Sequence, residues 1–287
     1  MAKMVFIPRK QLWIVRYASV IVVGIFFAFP LLFLISGSLM TASDVAQYPP
    51  RIFPTGMHLH WHNYVLAWHV YGGYRPMLNS FIYTLGILIL QLSLSIMAGF
   101  ALAKMPSRYA PFLLGLFLIP FFLPTNTSII PMYLITYKLH LLDSWPGMIL
   151  PIVGSTAFGT LLFRQFFVNF PNSLVEAAKI DGASWPKIFV RIVLPLAKPP
   201  VASYAAVTFL TAWNMYLWPA LVAHKASLKT LAVVLEPYIN NGGNGFYVQV
   251  TQNVVFACAV ISSLPVIIVF LYTQRWFINA VAGTGSD

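Results

Sequence analysis

The chain has 287 residues, of which 59% are hydrophobic and 8% are charged, and its mean hydropathy is +0.79. A soluble domain carries about 25% charged residues, so this composition excludes a soluble protein and predicts an all-α, polytopic membrane protein. The formal net charge of +11 is scattered between apolar runs, which argues against nucleic-acid binding. Cys258 lies in an apolar run and, as the single cysteine, forms neither an internal disulfide nor a thiolate metal site.

Six apolar runs are long enough to cross a bilayer, because a transmembrane helix needs about 20 residues. They cover residues 17–39, 81–103, 111–135, 148–167, 200–222 and 254–277. Pro120, Pro124 and Pro131 interrupt the third run, which predicts a kinked helix whose freed carbonyls are satisfied inside a bundle. Together the runs predict a single transmembrane domain over residues 1–287.

The basic residues predict the direction of the spans. The first run is too long for the core of a signal peptide, so we interpret it as a retained first helix. If the N-terminus faces the cytoplasm, twelve Lys and Arg residues lie inside and five outside, in agreement with the positive-inside rule. Both termini and the loop over residues 169–198 are then cytoplasmic.

The acidic residues bear on the source of energy for transport. None of the six acidic residues lies in the middle of a predicted span. The six are Asp44, Asp143, Glu176, Asp181, Glu236 and Asp287. Ion-coupled carriers need ionisable groups inside the membrane, so this distribution argues against a secondary transporter. The sequence also lacks a phosphate-binding loop of the form G-x-x-x-x-G-K-[ST]. Energy for transport must therefore come from another polypeptide.

The loop over residues 169–198 predicts two short helices joined by a sharp turn. Ser173 and Glu176 have the spacing of a capping box at the start of the first helix. Gly182 stands where a helix end needs a left-handed residue. Ser184 is placed to cap the second helix, with Pro186 in its first turn. We expect a hairpin at the cytoplasmic membrane surface.

Side chains of the first loop helix predict a protein-docking surface. Ala177 and Ala178 allow close approach of another protein, and Leu174 and Ile180 offer apolar knobs. The loop resembles the EAA signature of permease subunits of bacterial ABC importers, with the spacing intact. The matching residues are Glu176, Ala177, Ala178, Gly182, Ile192, Leu194 and Pro195. In that family this loop holds the coupling helix. The resemblance therefore implies that the matching residues other than Ile192, together with Asp181, couple this chain to an ATP-binding subunit.

Other segments resemble the MalG-like branch of carbohydrate importers. These segments are Asn79-Ser80, residues 162–167, residues 212–219, residues 274–277 and the tail containing Gly283. The resemblance implies a type I importer permease fold with six spans in the cytoplasmic membrane. It also implies three kinds of partner: a homologous second permease, two ATP-binding subunits that carry ATP and Mg²⁺, and an extracytoplasmic solute-binding protein. No catalytic residue, metal or cofactor is expected in this chain.

Candidate substrate-pathway residues lie on the fifth, second and third spans. The fifth span carries Trp213, Asn214, Tyr216 and Trp218. Asn214 and Trp218 are four residues apart and are predicted to share a helical face, which suits the hydroxyls and C–H patches of a sugar. Gln91 and Asn126 are further candidates. All of these side chains have an alternative role in packing between helices.

Two alternatives remain open from the residues. The first is an importer of the same type for a polyol, a sugar phosphate or an acidic oligosaccharide. The second is an intramembrane enzyme that uses Asp181 with the outer-loop residues His58, His60 and His62. The charge pattern disfavours the enzyme because it places Asp181 and the histidines on opposite sides of the membrane.

Overall fold

The structure is a computed structural model that describes residues 9–49, 51–105, 107–122, 125–240 and 250–282. All regular elements in these residues are helical, which confirms the predicted all-α class. The chain divides into two compact units. Unit 1 comprises Met1–Tyr71 and Pro237–Ser263, and unit 2 comprises Gly72–Glu236 and Leu264–Asp287.

Unit 1 contains the first long helix, two shorter ones and parts of the last two. These elements are α1 (Arg9–Ser38), α2 (Ala42–Val45), a 3-10 turn (Thr55–Met57), α3 (His62–Val70), the end of α14 (Leu231–Asn240) and the start of α15 (Gln252–Ala282). Two buried amides join them. The Nδ2 of Asn63 donates to the carbonyl oxygens of Ser38 and Met40, each at 2.9 Å. Asn253 Nδ2 donates to Met40 O at 3.1 Å and to Asn63 Oδ1 at 3.0 Å.

Unit 2 contains the remaining helices. They are α4 (Arg75–Lys104), α5 (Ala110–Phe122), α6 (Thr125–Lys138), α7 (Trp145–Val153), α8 (Ala157–Val168), α9 (Asn172–Ile180), α10 (Trp185–Ile188), a π-helical turn (Phe189–Val193), α11 (Leu194–Leu196), α12 (Lys198–Trp213), α13 (Leu217–Val222) and a 3-10 turn (Ala226–Leu228). Helix α4 packs against α7, α8 and α12. Gly99 allows α4 to approach α8 closely, because a Cβ there would lie 2.7 Å from Phe163 Cβ.

Three of the predicted spans are continuous apolar helices. Arg16–Ser38, Arg75–Lys104 and Gln252–Gln274 are each long and apolar enough to cross a membrane, and up to five spans result if each bent helix pair counts as one. They coincide with the first, second and sixth predicted spans. The fourth and fifth predicted spans are each divided into two helices, and the third contains α5 and α6, which flank residues 123–124 outside the described structure.

Two predicted spans are interrupted within the described residues. The fourth is split between α7 and α8, which meet at 47°. The fifth is split between α12 and α13, and at the end of α12 Leu210 O accepts from both the backbone N–H and the side-chain Nδ2 of Asn214. Pro219 lies in the first turn of α13, where a missing backbone donor costs no helical hydrogen bond.

Candidate functional site

The loop predicted over residues 169–198 folds as a helical hairpin. Its first helix, α9, ends in a Schellman motif: the N–H of Gly182 donates to Lys179 O at 3.0 Å, and the N–H of Ala183 donates to Ala178 O at 2.9 Å. Gly182 has a φ of 72°, which confirms the predicted left-handed turn. A Cβ added at Gly182 would meet no described atom within 4 Å. The requirement for glycine therefore comes from the backbone conformation and not from crowding.

The start of α9 differs from the prediction. The helix begins at Asn172, so Ser173 lies inside its first turn and no side chain caps it. The predicted capping box with Glu176 is therefore wrong. Lys104, the last residue of α4, holds this end instead: its Nζ donates to Phe170 O at 2.7 Å and to the side-chain oxygen of Asn172. The hairpin is thus bonded directly to the central helix of unit 2.

The second half of the hairpin is the segment Trp185–Leu196, which we call the hairpin arm. It consists of α10, the π-helical turn and α11. Ser184 occupies the predicted N-cap position and its backbone oxygen accepts from Ile188 N–H at 2.9 Å, although its side chain makes no capping bond. Pro186 lies in the first turn, as predicted. The arm meets α12 at an angle of 78°.

One face of the hairpin is buried in unit 2. Ala178, Ile188 and Val193 are 8%, 1% and 0% exposed, and they share a core cluster with Phe100 of α4. The expectation that Ala178 and Ala177 both face a partner protein is therefore wrong for Ala178. The small side chain of Ala178 instead lets α9 pack closely onto its own chain, while Ala177 is exposed.

The opposite side of α9 presents apolar and acidic side chains to solvent. We call this surface the docking tip; it consists of Leu174, Glu176, Ala177, Ile180 and Asp181. Ile180 is 86% exposed, so its apolar side chain is almost fully accessible. Lys179 Nζ lies 4.0 Å from the ring centroid of Trp185, so a cation–π contact joins α9 to the arm. Leu194 and Pro195 are exposed on the arm.

The two tryptophans of the fifth span are packing residues in this structure. Trp213 is 5% exposed and lies between two phenylalanines, with ring centroids 5.0 Å from Phe81 and 5.6 Å from Phe209. Trp218 is 2% exposed and its Nε1 donates to Met148 O at 3.0 Å. Neither indole ring is open to a solute in this conformation.

The polar residues of the fifth span lie at the break between α12 and α13. Because of this break, Asn214 and Trp218 do not share a continuous helical face, and that prediction is wrong. Asn214 is exposed, and its Nδ2 donates to Leu210 O at 3.0 Å. Tyr216 is half-buried. Asn214 and Tyr216 thus remain the more accessible of the four candidates on this span.

Gln91 occupies a second break, between α7 and α8. Its side chain is buried, and Nε2 donates to Ile152 O at 2.8 Å and to Ser155 O at 3.3 Å. These carbonyls belong to the residues at the break, so Gln91 bridges helices rather than facing a cavity. Asn126 lies in the first turn of α6, and its side chain is outside the described part of the structure.

The sequence did not predict a clamp formed by Asp143. Its Oδ1 accepts from the backbone N–H of His224 at 2.6 Å and of Lys225 at 2.9 Å, and its own N–H donates to Val222 O at 3.0 Å. These bonds connect the turn before α7 to the end of α13. The N–H of Lys225, followed by that of His224, holds the pKa of the Asp143 carboxyl below its ordinary value of 3.8. One indication of these bonds was present in the sequence, because Asp143 is the single acidic residue between the third and fourth predicted spans.

The long apolar helices define a polytopic membrane protein that carries an exposed helical hairpin. Comparison with known families agrees: residues 91–283 match the family described as binding-protein-dependent transport system inner membrane component. The chain belongs to this family. It is therefore a multi-pass, inner-membrane permease component of an ABC importer and not an enzyme, which removes the intramembrane-enzyme alternative. The family implies an ATPase and a substrate-binding protein as partners.

Named relatives and a solved structure extend the likeness over nearly the whole chain. The sn-glycerol-3-phosphate transport system permease protein UgpE of Yersinia pestis is 33% identical over 279 residues, covering 95% of this chain and 97% of the relative. The protein of the same name in Brucella abortus (strain 2308) is 32% identical over 276 residues, covering 92% and 94%. A crystal structure of a bacterial ABC transporter that imports the acidic polysaccharide alginate is similar in fold, with a TM-score of 0.82 at 23% identity, covering 96% of this chain and 100% of that chain.

Proposed function

We propose that this chain is one of two homologous permease subunits in an ATP-driven importer of a sugar or oligosaccharide. The second permease completes the translocation pathway. Two ATP-binding subunits hold ATP and Mg²⁺ on the cytoplasmic side, and an extracytoplasmic solute-binding protein delivers the solute. Both termini of this chain lie in the cytoplasm, as the distribution of basic residues indicates.

The observation that carries this proposal is the chemistry of the docking tip. Leu174 and Ile180 expose apolar side chains on a helix whose other face is buried in unit 2. An exposed apolar patch rimmed by polar groups is typical of a protein–protein contact. The carboxylates of Glu176 and Asp181 add charge at the rim. The tip therefore fits an apolar cleft with basic edges on an ATP-binding subunit.

The hairpin is also built to pass motion to the spans. Lys104 bonds the start of α9 to α4, and the arm continues into α12 through the bend near Ala197, which is 0% exposed. When ATP closes the ATP-binding dimer, the tip moves with it. The motion reaches α4 and α12 through these two connections and switches the side from which the pathway is open. ATP hydrolysis resets the cycle.

A phosphorylated polyol or acidic oligosaccharide is the second candidate solute. The UgpE relatives are named for sn-glycerol-3-phosphate, and the structural neighbour imports an acidic polysaccharide. All six acidic residues of this chain lie outside the middle of the predicted spans. An anionic solute would therefore meet no carboxylate of this chain in the centre of the membrane.

The Gly182→Asp substitution tests the coupling role. It places a Cβ in the left-handed conformation, at a cost of about 1–2 kcal/mol, and adds a negative charge beside the docking tip. We expect solute uptake to be abolished and recovery of the ATP-binding subunit with the tagged chain to fall, while membrane insertion stays normal. Uptake and pull-down from native membranes measure both effects.

Gly72→Asp is the matched control for this experiment. Gly72 has a φ of 71° and, like Gly182, has no described atom within 4 Å of an added Cβ. The backbone cost is therefore the same, but Gly72 lies in a loop predicted to be extracytoplasmic. Gly72→Asp should retain the ATP-binding subunit. Normal uptake by Gly182→Asp would contradict the coupling role.

A further inference from the structure

The hairpin arm runs close to the plane of the membrane. It meets α12, which belongs to the predicted fifth span, at 78°. Transmembrane helices tilt by about 20° on average from the bilayer normal, so a helix nearly perpendicular to α12 is nearly parallel to the membrane surface. The bend lies at Ala197, directly before α12 begins. The arm therefore lies at the depth where the fifth span leaves the hydrocarbon core.

The exposed face of the arm carries two different stripes of side chains. Lys187 and Arg191 are four residues apart and both are exposed. Val190 and Leu194, also four apart, are 58% and 39% exposed. Residues with this spacing lie on the same side of a helix, so a basic stripe runs beside an apolar one. The apolar stripe is not part of the core, which the arm contacts through its opposite face.

The basic side chains of the arm have no ion-pair partner among the described residues. Lys187, Arg191 and the neighbouring Lys198 are exposed and form no ion pair or side-chain hydrogen bond with any described residue. An exposed helix that combines Lys and Arg with apolar side chains is suited to the membrane interface, where the apolar groups enter the acyl boundary and the cations meet lipid phosphates.

We propose that the hairpin arm binds anionic phospholipid head groups through Lys187, Arg191 and Lys198, with Val190 and Leu194 anchored in the bilayer surface. Leu194 is thereby assigned to lipid, whereas the resemblance to the EAA signature implied that it contacts the ATP-binding subunit. This inference rests on the proposed function only for the cytoplasmic position of the hairpin. The docking tip carries the carboxylates of Glu176 and Asp181, and the arm carries only basic charges on its exposed face. The hairpin thus has two surfaces of opposite charge. The acidic docking tip is suited to bind a protein, and the basic arm is suited to bind lipid.

Binding of phosphatidylglycerol to the complete detergent-solubilised importer tests this inference. The variant combines Lys187→Gln, Arg191→Gln and Lys198→Gln, which are exposed positions where the amide side chain is tolerated. Each basic residue at an anionic surface contributes about fivefold in affinity. We therefore expect the dissociation constant for added phosphatidylglycerol, measured by native mass spectrometry, to rise about 100-fold, and binding of zwitterionic phosphatidylcholine to stay unchanged.

A second triple variant removes the same number of charges from the predicted outer loops: Lys138→Gln, Lys225→Gln and Lys229→Gln. It should bind phosphatidylglycerol like the unmodified importer.

An unchanged dissociation constant in the arm variant would overturn the inference. So would loss of the ATP-binding subunit with lipid affinity intact, because the arm would then be a protein contact. If the unmodified chain binds the lipid through the arm but recovers no ATP-binding subunit, the proposed function fails and the lipid site stands.

Discussion

Lys104 forms the hydrogen bonds that connect the hairpin to α4. Its ammonium donates to Phe170 O and to the side chain of Asn172. Lys104→Met removes both bonds, which together contribute about 1–2 kcal/mol, and leaves the start of α9 free to shift. We expect the importer to hydrolyse ATP but to move less solute per ATP hydrolysed. Parallel ATPase and uptake measurements in proteoliposomes give that ratio.

Lys104→Arg keeps a positive donor at the same position and should preserve most of the coupling. Arg108→Met serves as a second control, because Arg108 is exposed in the following loop and contacts only its neighbour Tyr109 among the described residues. An unchanged ratio of solute to ATP in Lys104→Met would show that the hairpin moves α4 by another route.

At the level of elements, the divided fourth span depends on a side chain that satisfies carbonyls at its break. Gln91 does this for α7 and α8, through Ile152 O and Ser155 O. Gln91→Leu leaves both carbonyls without that donor, and we expect a loss of about 1 kcal/mol in the free energy of unfolding. Thermal unfolding in detergent should show a lower midpoint.

Ser93 lies on the same helix, is exposed, and provides the control. Ser93→Ala removes a polar group of the same span without touching a break, so its unfolding midpoint should match that of the unmodified chain. If Gln91→Leu also matched it, the break between α7 and α8 would be held by packing alone.

At the scale of the whole molecule, the partner proteins and the solute define the activity. We expect a pull-down with a tag on this chain to recover a second permease and an ATP-binding subunit. The ATPase rate of that complex should rise severalfold with the solute-binding protein loaded with its solute. Comparison of sn-glycerol 3-phosphate with neutral sugars and oligosaccharides separates the two candidate solute classes. Recovery of the chain alone under mild detergent would count against the assembly.

The sequence predicted features that depend on local chemistry. The left-handed turn at Gly182 follows from the few conformations that end a helix, and three long helices follow from uninterrupted apolar runs. The sequence did not predict features set by distant residues. The capping box at Ser173 failed because Lys104, far away in the chain, holds the start of α9. The shared face of Asn214 and Trp218 failed because α12 ends between them, and Trp218 bonds to a carbonyl of α7.

The Asp143 clamp has a consequence for growth in acidic surroundings. The bonds from Lys225 and His224 stabilise the ionised carboxylate, so its folded-state pKa lies below the ordinary value of 3.8. The stability that it contributes is fully present above that ordinary value and is lost only as pH falls through the lowered pKa. The turn is predicted to face the outside of the cell. We therefore expect mild acidification of the medium to leave the hydrogen bonds between Asp143 and the residues that follow α13 intact.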